Sequence, residues 1–324
     1  AIPFVGDDWR EVVDHADVDL VSIVTPPSTH LEMTLYALSR GKAVLCEKPM
    51  ALNAAETAQM CRAAEAAGVF ACIDHELRFL DGRRLMREML RAGEIGRVRH
   101  ACVTYRADSR AGAERAWDWW SDAAMGGGAL GAIGSHIVDG LHWLLGAQVS
   151  RVFCQLSTHI TARPAGGEGG GEMLPVTTDD AASLILNFDG GDLLAATGAT
   201  ASASMSFVEA GEPLHRLEIF GERGALRVEG DGELWHAEMN AGAWRRVEIG
   251  RGQTVARGMQ DNGWSRGFTR FAQEIVGALL EGRSTVAEAA TFADGHRTQL
   301  VLDAARRAHA SGSWATPDDQ SVPI

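Results

Sequence analysis

Short apolar runs alternate with amphipathic stretches in the first quarter of the chain. Leucines at helical spacing predict a helix over 28–40 that Gly41 ends, and a capping box of Asn53 and Glu56 starts a second helix that reaches Gly68. Three apolar runs are short enough to be buried strands: 19–24, 42–45 and 69–73. Strands that alternate with helices through short loops form right-handed βαβ units, so this part is predicted to contain a parallel sheet.

After Asp74 the pattern changes to alternating apolar and polar positions, which is typical of antiparallel strands. The strands predicted for this part are 98–105, 150–160, 181–188, 193–201, 215–220, 225–229, 233–238 and 244–249. Its predicted helices are 83–92, 133–145, 265–281 and 287–310. The glycine-rich stretch 164–178 is predicted to be a mobile loop. The chain therefore combines a parallel α/β part with an α+β part built on strands in series.

The 324 residues carry a formal net charge of −13 and no block of Lys or Arg, so nucleic acid is not a predicted partner. Five cysteines lie without C-x-x-C spacing, which argues against a metal cluster or a disulfide framework and favours a reducing compartment. No run reaches the roughly 18 uncharged apolar residues that a membrane span needs. We expect a cytoplasmic protein with no metal site and no membrane partner.

The tetrapeptide Cys46-Glu47-Lys48-Pro49 follows the 42–45 strand, and open α/β sheets bind ligands at the carboxyl ends of their strands. Glu47 and Lys48 place an acceptor and a donor in that crevice. Pro49 fixes the backbone and favours a cis peptide bond more than other residues do. No His is arranged to activate Cys46, which is interpreted as a small buried hydrophobe. The alternative for the whole corner is a plain strand-to-helix junction.

The segment Thr25-Pro26-Pro27 leaves the first predicted strand at the same edge of the sheet. Its proline pair presents a rigid apolar surface that suits one face of a flat ring. The alternative is an ordinary loop in which a Thr or Ser caps the following helix.

A glycine-rich segment, 126–134, precedes a predicted helix that carries His136 and Asp139. Its small residues allow a ligand or another helix to approach the backbone closely. Residues three apart share one face of a helix, so Asp139 can orient His136 or support its charge, which is how a general base is made at neutral pH. The alternative is a core histidine that bonds to Asp139 across one helical turn.

Candidate pocket residues come from two other places. His75 and Arg78 follow the 69–73 strand, so they lie at the same sheet edge as Lys48. Trp119 and Trp120, close to Trp117, form either part of the core or a wall on which a sugar ring stacks.

Taken in order, these motifs resemble the Gfo/Idh/MocA oxidoreductases, the relatives of glucose-fructose oxidoreductase and inositol dehydrogenase. The matching segments are 24–30, 41–49 with its Glu-Lys-Pro, 93–96 and 126–139. The resemblance implies a Rossmann domain that binds NAD or NADP and a C-terminal α+β domain built on a large, open, mostly antiparallel sheet. That sheet often forms the oligomer interface in the family, so a homodimer or homotetramer is implied.

Site roles are also implied by the resemblance, motif by motif. Lys48 should contact the reacting oxygen and the nicotinamide region, Glu47 the ribose side of the cofactor, and His136 the substrate as acid/base. The residues that should line the nicotinamide end are Thr25, Pro26, Pro27 and His30.

The chain departs from the family pattern at two points. Where members often carry an Asp four residues before the His, this chain has Ala132, so His136 would act with Lys48 alone or with Asp139. The family's G-x-G-x-x-G turn would lie before Ala1, and two βα units of roughly 60 residues would precede the chain. We therefore expect an N-terminally incomplete sequence, with residues 1–76 as the remainder of the Rossmann domain and 77–324 as the C-terminal domain for substrate and oligomerisation.

The function predicted from the residues and the resemblance is hydride transfer between NAD or NADP and a secondary alcohol or carbonyl of a sugar, cyclitol or similar polyol. Two alternatives stay open. One is a catalytically silent, dinucleotide-binding regulatory relative. The other is a glycosidase that uses NAD as a recycled redox catalyst.

Overall fold

Two sheets organise the protein, whose structure is a computed structural model describing residues 4–166, 171–250 and 255–318. The helices are α1 Trp9–Asp14, α2 His30–Ser39, α3 Ala54–Ala67, α4 Asp81–Arg91, α5 Ser135–Leu145, α6 Gly263–Leu280 and α7 Phe292–Ser311. The strands are β1 Leu20–Ile23, β2 Ala43–Cys46, β3 Ala71–Ile73, β4 Val98–Arg106, β5 Val149–Ser157, β6 Ala162–Pro164, β7 Met173–Pro175, β8 Ala181–Phe188, β9 Ala199–Ser206, β10 Leu214–Gly221, β11 Gly224–Glu229, β12 Glu233–Glu238, β13 Arg245–Arg246 and β14 Ala290–Thr291.

The first sheet has the strand order β1-β2-β3-β14. β1, β2 and β3 run parallel, as the sequence predicts, and all four residues of β2 are buried. β14 pairs antiparallel with β3, with Ala290 opposite Ile73. The last part of the chain thus returns to the first sheet, and the domain boundary between residues 76 and 77 stays a prediction.

Helix α3 begins where the sequence predicts, but its cap differs in one bond. Asn53 Oδ1 accepts from the N–H of Glu56 at 3.0 Å. The Glu56 carboxylate accepts from the N–H of Leu52 at 3.1 Å, one residue before the cap. Gly68 ends the helix with φ 64°, a left-handed conformation that glycine adopts without a steric penalty.

The second sheet has eight strands in the order β13-β12-β11-β10-β4-β9-β8-β5. Its pairings are antiparallel except for β4 with β9, which run parallel. The predicted large, mostly antiparallel sheet is therefore confirmed. Together with the parallel first sheet it gives the Rossmann-type α/β plus α+β architecture expected from the sequence.

Four segments differ from their predictions. The strand predicted at 244–249 is reduced to β13, and the helix predicted at 287–310 begins only at Phe292, because Thr291 caps it directly after β14. The strand predicted at 193–201 lies further along, at β9, because Gly198 adopts φ 80° and ends the preceding turn. The alternation of small Ala and Ser side chains in β9 gives a weak hydrophobic signal. The stretch 164–178, predicted as a loop, contains β7, which pairs antiparallel with β6; residues 167–170 of that prediction lie outside the described residues.

Helix α5 lies at the centre of the molecule, with all eleven of its residues buried. It packs against α4 and α7, and α7 in turn packs against α3 and β5, so both parts of the chain contact this helical layer. Among the described residues, no helix is long and apolar enough to cross a membrane.

Gly126 and Pro27 form a close contact between the two parts of the chain. Gly126 has φ 86°, and a Cβ atom placed there would lie 2.6 Å from Pro27 Cβ. Only glycine satisfies both the left-handed backbone and this approach.

We predict that Gly126→Ala costs roughly 2–4 kcal/mol of unfolding free energy, because strain and overpacking add. Gly146→Ala is the matched control: Gly146 has φ 62°, and a Cβ atom added there would point into open space, so only the backbone strain of roughly 1–2 kcal/mol applies. Urea unfolding of both variants measures the difference. If both variants lose the same unfolding free energy, the close contact with Pro27 contributes no additional strain and the prediction is wrong.

Candidate active site

The carboxyl ends of β1, β2 and β3 lie side by side and bring three loops together. The N–H of Glu47 donates to Ile23 O at 3.0 Å, and the N–H of Asp74 donates to Cys46 O at 2.8 Å, so strand pairing continues to the edge. Lys48 and His75 therefore reach the same crevice, as the strand order predicts.

Lys48 bridges from this edge to the glycine-rich segment. Its Nζ donates to the carbonyl oxygen of Ala132 at 3.1 Å, and its peptide bond to Pro49 is cis. Ala132 belongs to a wide helical turn, Leu130–Gly134, that leads directly into α5. The ammonium group thus lies between the first sheet and the helix that carries His136.

His136 is buried, with 3% of its surface exposed, in a group of ionisable side chains. Its Nδ1 lies 3.4 Å from Nδ1 of His75, and its Nε2 lies 4.0 Å from Oε2 of Glu76. Nε2 has no hydrogen-bond partner among the described residues. Burial, followed by the positive charges of Lys48 and Arg83 and by neighbouring histidines, holds the pKa of His136 well below 6.5. His136 is therefore neutral at pH 7 and can accept a proton.

Asp139 does not pair with His136 as the helical spacing predicts. Arg78 takes both carboxylate oxygens: its Nε donates to Oδ2 at 2.8 Å and its Nη2 to Oδ1 at 2.5 Å. Burial alone would raise the pKa of Asp139, but Arg78 and His75 outweigh it, and the pKa falls below 3.8. Asp139 lies on the helix that carries His136, as predicted, but its carboxylate oxygens are bonded to Arg78 from the turn after β3.

His75 links the two groups. Its Nδ1 lies 3.8 Å from Asp139 Oδ2 and also faces His136. Burial lowers the pKa of His75 to about 4, although Asp139 opposes the shift. His75 and Arg78 are both buried, and the substrate contact predicted for them from the sequence stays a prediction.

Sequence reasoning missed two carboxyl groups beside Lys48. Burial, reinforced by Glu47, raises the pKa of Asp74 to about 7, while Lys48 opposes the shift. Burial and the charge of Asp74 raise the pKa of Glu76 well above 4.5. Asp74 and Glu76 are the neighbours of His75 directly after β3. Their position at the carboxyl end of a parallel strand is the same signal that identified His75 as a candidate.

His30, predicted to line the nicotinamide end, is fully buried and contacts backbone instead. Its Nε2 lies 2.8 Å from Thr25 O and its Nδ1 lies 3.1 Å from Pro49 O. The ring therefore ties the loop after β1 to the loop after β2. Pro27 is buried against Gly126, so Thr25 and Pro26 are the partly exposed members of that predicted set.

A cleft of about 400 Å³ opens beside Lys48. Its side chains include Lys48, Tyr105, Arg110, Arg115, Trp120 and Trp264. The predicted stacking residue Trp120 lines this cleft, whereas Trp119 is 39% exposed on the surface and is not part of the lining. Tyr105 and Trp264 come from β4 and α6, and no local sequence signal connects such distant positions.

The edge formed by β1 and β2 fits the nicotinamide end of a dinucleotide. Val24 is 71% exposed there, and with Thr25 and Pro26 it offers a surface for a flat ring. The half-buried carboxylate of Glu47 suits ribose hydroxyl groups. The described residues contain no G-x-G-x-x-G turn between a strand and a helix. These residues therefore fit one end of the cofactor.

Comparisons with known proteins identify the same two parts. Residues 2–75 match the model of an oxidoreductase family with an NAD-binding Rossmann fold, and residues 84–227 match the GFO/IDH/MocA C-terminal domain. The chain is 30% identical over 318 residues to an uncharacterized oxidoreductase from Synechocystis, covering 95% of the chain and 82% of the relative. It is 29% identical over 335 residues to levoglucosan dehydrogenase from Pseudarthrobacter phenanthrenivorans, with the same coverage.

Solved structures agree with these matches. An oxidoreductase domain protein from Kribbella flavida superposes with a TM-score of 0.83 at 31% identity, covering 96% of this chain and 84% of the other. Levoglucosan dehydrogenase in complex with NADH and levoglucosan gives a TM-score of 0.84 at 26% identity, covering 97% and 84%.

We predict that Asp139→Ala lowers the unfolding free energy by roughly 3–5 kcal/mol, because buried Arg78 loses its two-bond carboxylate partner and keeps, among the described carboxylates, only the 3.7 Å ion pair with Asp294. Glu281→Gln is the control: it breaks a half-exposed pair with Arg283 and should change stability by less than roughly 1 kcal/mol. Chemical denaturation measures both. A variant of normal stability that loses turnover would instead support the catalytic role predicted for Asp139 from the sequence.

Asp74 gives a pH prediction. Because its folded-state pKa of about 7 lies above 3.8, the native protein binds more protons than the unfolded chain between these values, and stability falls as pH rises through that window. Asp74→Asn should therefore be more stable than the parent at pH 8, by up to roughly 4 kcal/mol, and should lose that advantage by pH 4. Thermal unfolding at several pH values, with exposed Asp192→Asn as control, measures the effect; a pH-independent difference would contradict it.

Proposed function

This chain belongs to the Gfo/Idh/MocA family of NAD(P)-dependent oxidoreductases, and we propose that it acts on a secondary hydroxyl or carbonyl group of a sugar, cyclitol or similar polyol. The observation that carries the proposal is the meeting of Lys48 and the neutral, buried His136 beside an aromatic-walled cleft. A relative of similar fold is named levoglucosan dehydrogenase, and its structures hold NADH with levoglucosan or L-sorbose. Those names support a sugar-like substrate.

The proposed mechanism assigns one role to each group. The bound nicotinamide ring supplies the hydride acceptor or donor. Lys48, whose Nζ is held by Ala132 O, provides a positive charge for the reacting oxygen, which becomes more negative in the transition state. His136 takes the hydroxyl proton at Nε2, the nitrogen that has no partner among the described residues.

Glu76 supports His136 in this mechanism. Its carboxyl lies 4.0 Å from His136 Nε2, and burial with the charge of Asp74 raises its pKa well above 4.5. At this distance Glu76 can orient the imidazole ring and, in its ionised form, stabilise the positive charge that His136 gains when it takes the proton. Ala132 has no side-chain carboxyl. In this mechanism Glu76, from the turn after β3, supplies the carboxyl beside His136.

We also propose that the outer face of the eight-stranded sheet forms a homodimer or homotetramer interface. Ile185, on β8, is 47% exposed on that sheet. A cytoplasmic location stays a prediction from cysteine usage.

We predict that Lys48→Ala lowers kcat by roughly 10²–10⁴-fold, because the charge at the reacting oxygen is lost, and leaves NAD⁺ affinity within about threefold. The full-length protein is titrated with NAD⁺ by calorimetry, and NADH formation is followed with a panel of sugars and cyclitols.

Lys42→Ala is the matched control, since Lys42 is the only other lysine of the sequence and lies at the opposite end of β2, bonded to His15 O and Val18 O. It should leave kcat unchanged. Absence of NAD⁺ binding would overturn the proposal. Binding without turnover on any compound would favour a regulatory relative, and bond cleavage without net NADH would favour a glycosidase.

A further inference from the structure

The cleft beside Lys48 is lined by positive charge. Arg110 and Arg115 lie in its wall with Lys48, and no Asp or Glu side chain is part of the lining formed by described residues. Tyr105 and Ser109 supply hydroxyl groups that can donate to and accept from the hydroxyls of a sugar. The three cationic donors around the same small cleft favour a sugar that also carries negative charge.

Arg110 is held in a fixed orientation with free donors. Its Nη1 donates to both oxygens of Asp118, at 2.9 and 2.8 Å, and its guanidinium lies 4.6 Å from the centre of the Trp120 ring. Nε and Nη2 have no hydrogen bond to the residues that the structure describes. The planar group is thus positioned before any ligand arrives, which lowers the entropic cost of binding.

Three arginines cluster near Asp118. Arg115 lies 3.8 Å from the carboxylate that Arg110 already binds, so these two arginines share it. Arg163 is 1% exposed, donates to the backbone oxygens of Arg110 and Gly112, and is influenced by the negative charges of Asp180 and Glu114 as well as Asp118. Burial, together with the charges of Arg115 and Arg163, lowers the pKa of Arg110 despite Asp118. An anion would relieve this repulsion.

Arg115 is the group best placed to respond to a ligand. About half of its side chain is exposed, and its contacts are a long ion pair with Asp118 and a 3.4 Å bond to Ser109 O. Neither contact fixes the side chain strongly.

We propose that Arg110 and Arg115 form a subsite for an anionic group on the sugar, so that the substrate is a monosaccharide acid or a monosaccharide phosphate. This inference rests on the proposed function, because it places the sugar in the cleft with its reacting oxygen at Lys48. A cleft of about 400 Å³ accommodates one monosaccharide. The arginine fork suits carboxylate and phosphate oxygens alike.

The test compares three probes that differ only at carbon 6: D-glucose, D-glucuronate and D-glucose 6-phosphate. Each is titrated by calorimetry into the full-length protein saturated with NAD⁺, and initial rates of NADH formation are measured. At least one anionic probe should bind roughly tenfold or more tightly than D-glucose, which corresponds to one charge-assisted hydrogen bond. Whichever of the two anionic probes binds more tightly shows whether the subsite prefers a carboxylate or a phosphate ester.

Arg115→Gln should raise the dissociation constant and KM of the preferred anion roughly tenfold, and should change those of D-glucose by a clearly smaller factor. Arg62→Gln, an exposed arginine on α3, is the control and should change neither. Anions that bind no tighter than D-glucose, or no binding of any probe, overturn the subsite, as does an equal effect of Arg115→Gln on all probes. Failure to bind NAD⁺ overturns the proposed function, and it is measured separately before any sugar is added.

Discussion

The hydrogen bond from Lys48 Nζ to Ala132 O joins the edge of the first sheet to the turn that leads into α5. The two ends of this bond come from opposite parts of the chain, so neither part contains the site alone. The approach is possible because the intervening surfaces are small: a Cβ at Gly131 would lie 3.6 Å from Pro49 Cγ, and Gly126 has no room for one against Pro27. The glycine-rich segment therefore sets the distance between the cofactor edge and the catalytic helix.

Burial is the second constraint, because it decides the charge of every ionisable group around this contact. Leaving an isolated ion in the interior costs several kcal/mol, so buried groups either pair or become neutral. Asp139 and Arg78 pair through two hydrogen bonds and remain charged. His75, His136 and Glu76 have no such partner, and each shifts toward its neutral form. The proton-accepting role proposed for His136 requires this neutral form, and the Asp139–Arg78 pair leaves Nε2 of His136 without a partner among the described residues.

The sequence predicted those features that depend on local spacing. Apolar runs and caps located β1, β2, β3 and α3, and the rule for parallel strands located Lys48 and His75 at one edge. Partner choice could not be predicted, because Arg78 and Asp139 are 61 positions apart and the helical spacing of Asp139 fits His136 equally well. The partners of His30 could not be predicted either. Its motif suggested a contact with the cofactor, but both of its ring nitrogens contact backbone oxygens. The cleft wall is formed by residues of β4, α6 and the turn that carries Trp120. The strand and helix periodicities of the sequence describe single elements, so they cannot predict which distant elements meet.

Ala132 connects the chemistry of the site with the charge of the cleft. Ala132 has no side-chain carboxylate, and the Lys48 ammonium bonds to its neutral backbone carbonyl. The carboxyl that lies beside His136 is that of Glu76, which is buried and is not part of the cleft lining. Lys48, Arg110 and Arg115 are thus the charged groups of the described lining, while Glu47, Asp74 and Glu76 lie near Lys48 outside it. If the proposed mechanism holds, the carboxyl beside His136 is separate from the groups that face the substrate, and an anionic sugar in this cleft would meet no carboxylate on the wall that the structure describes.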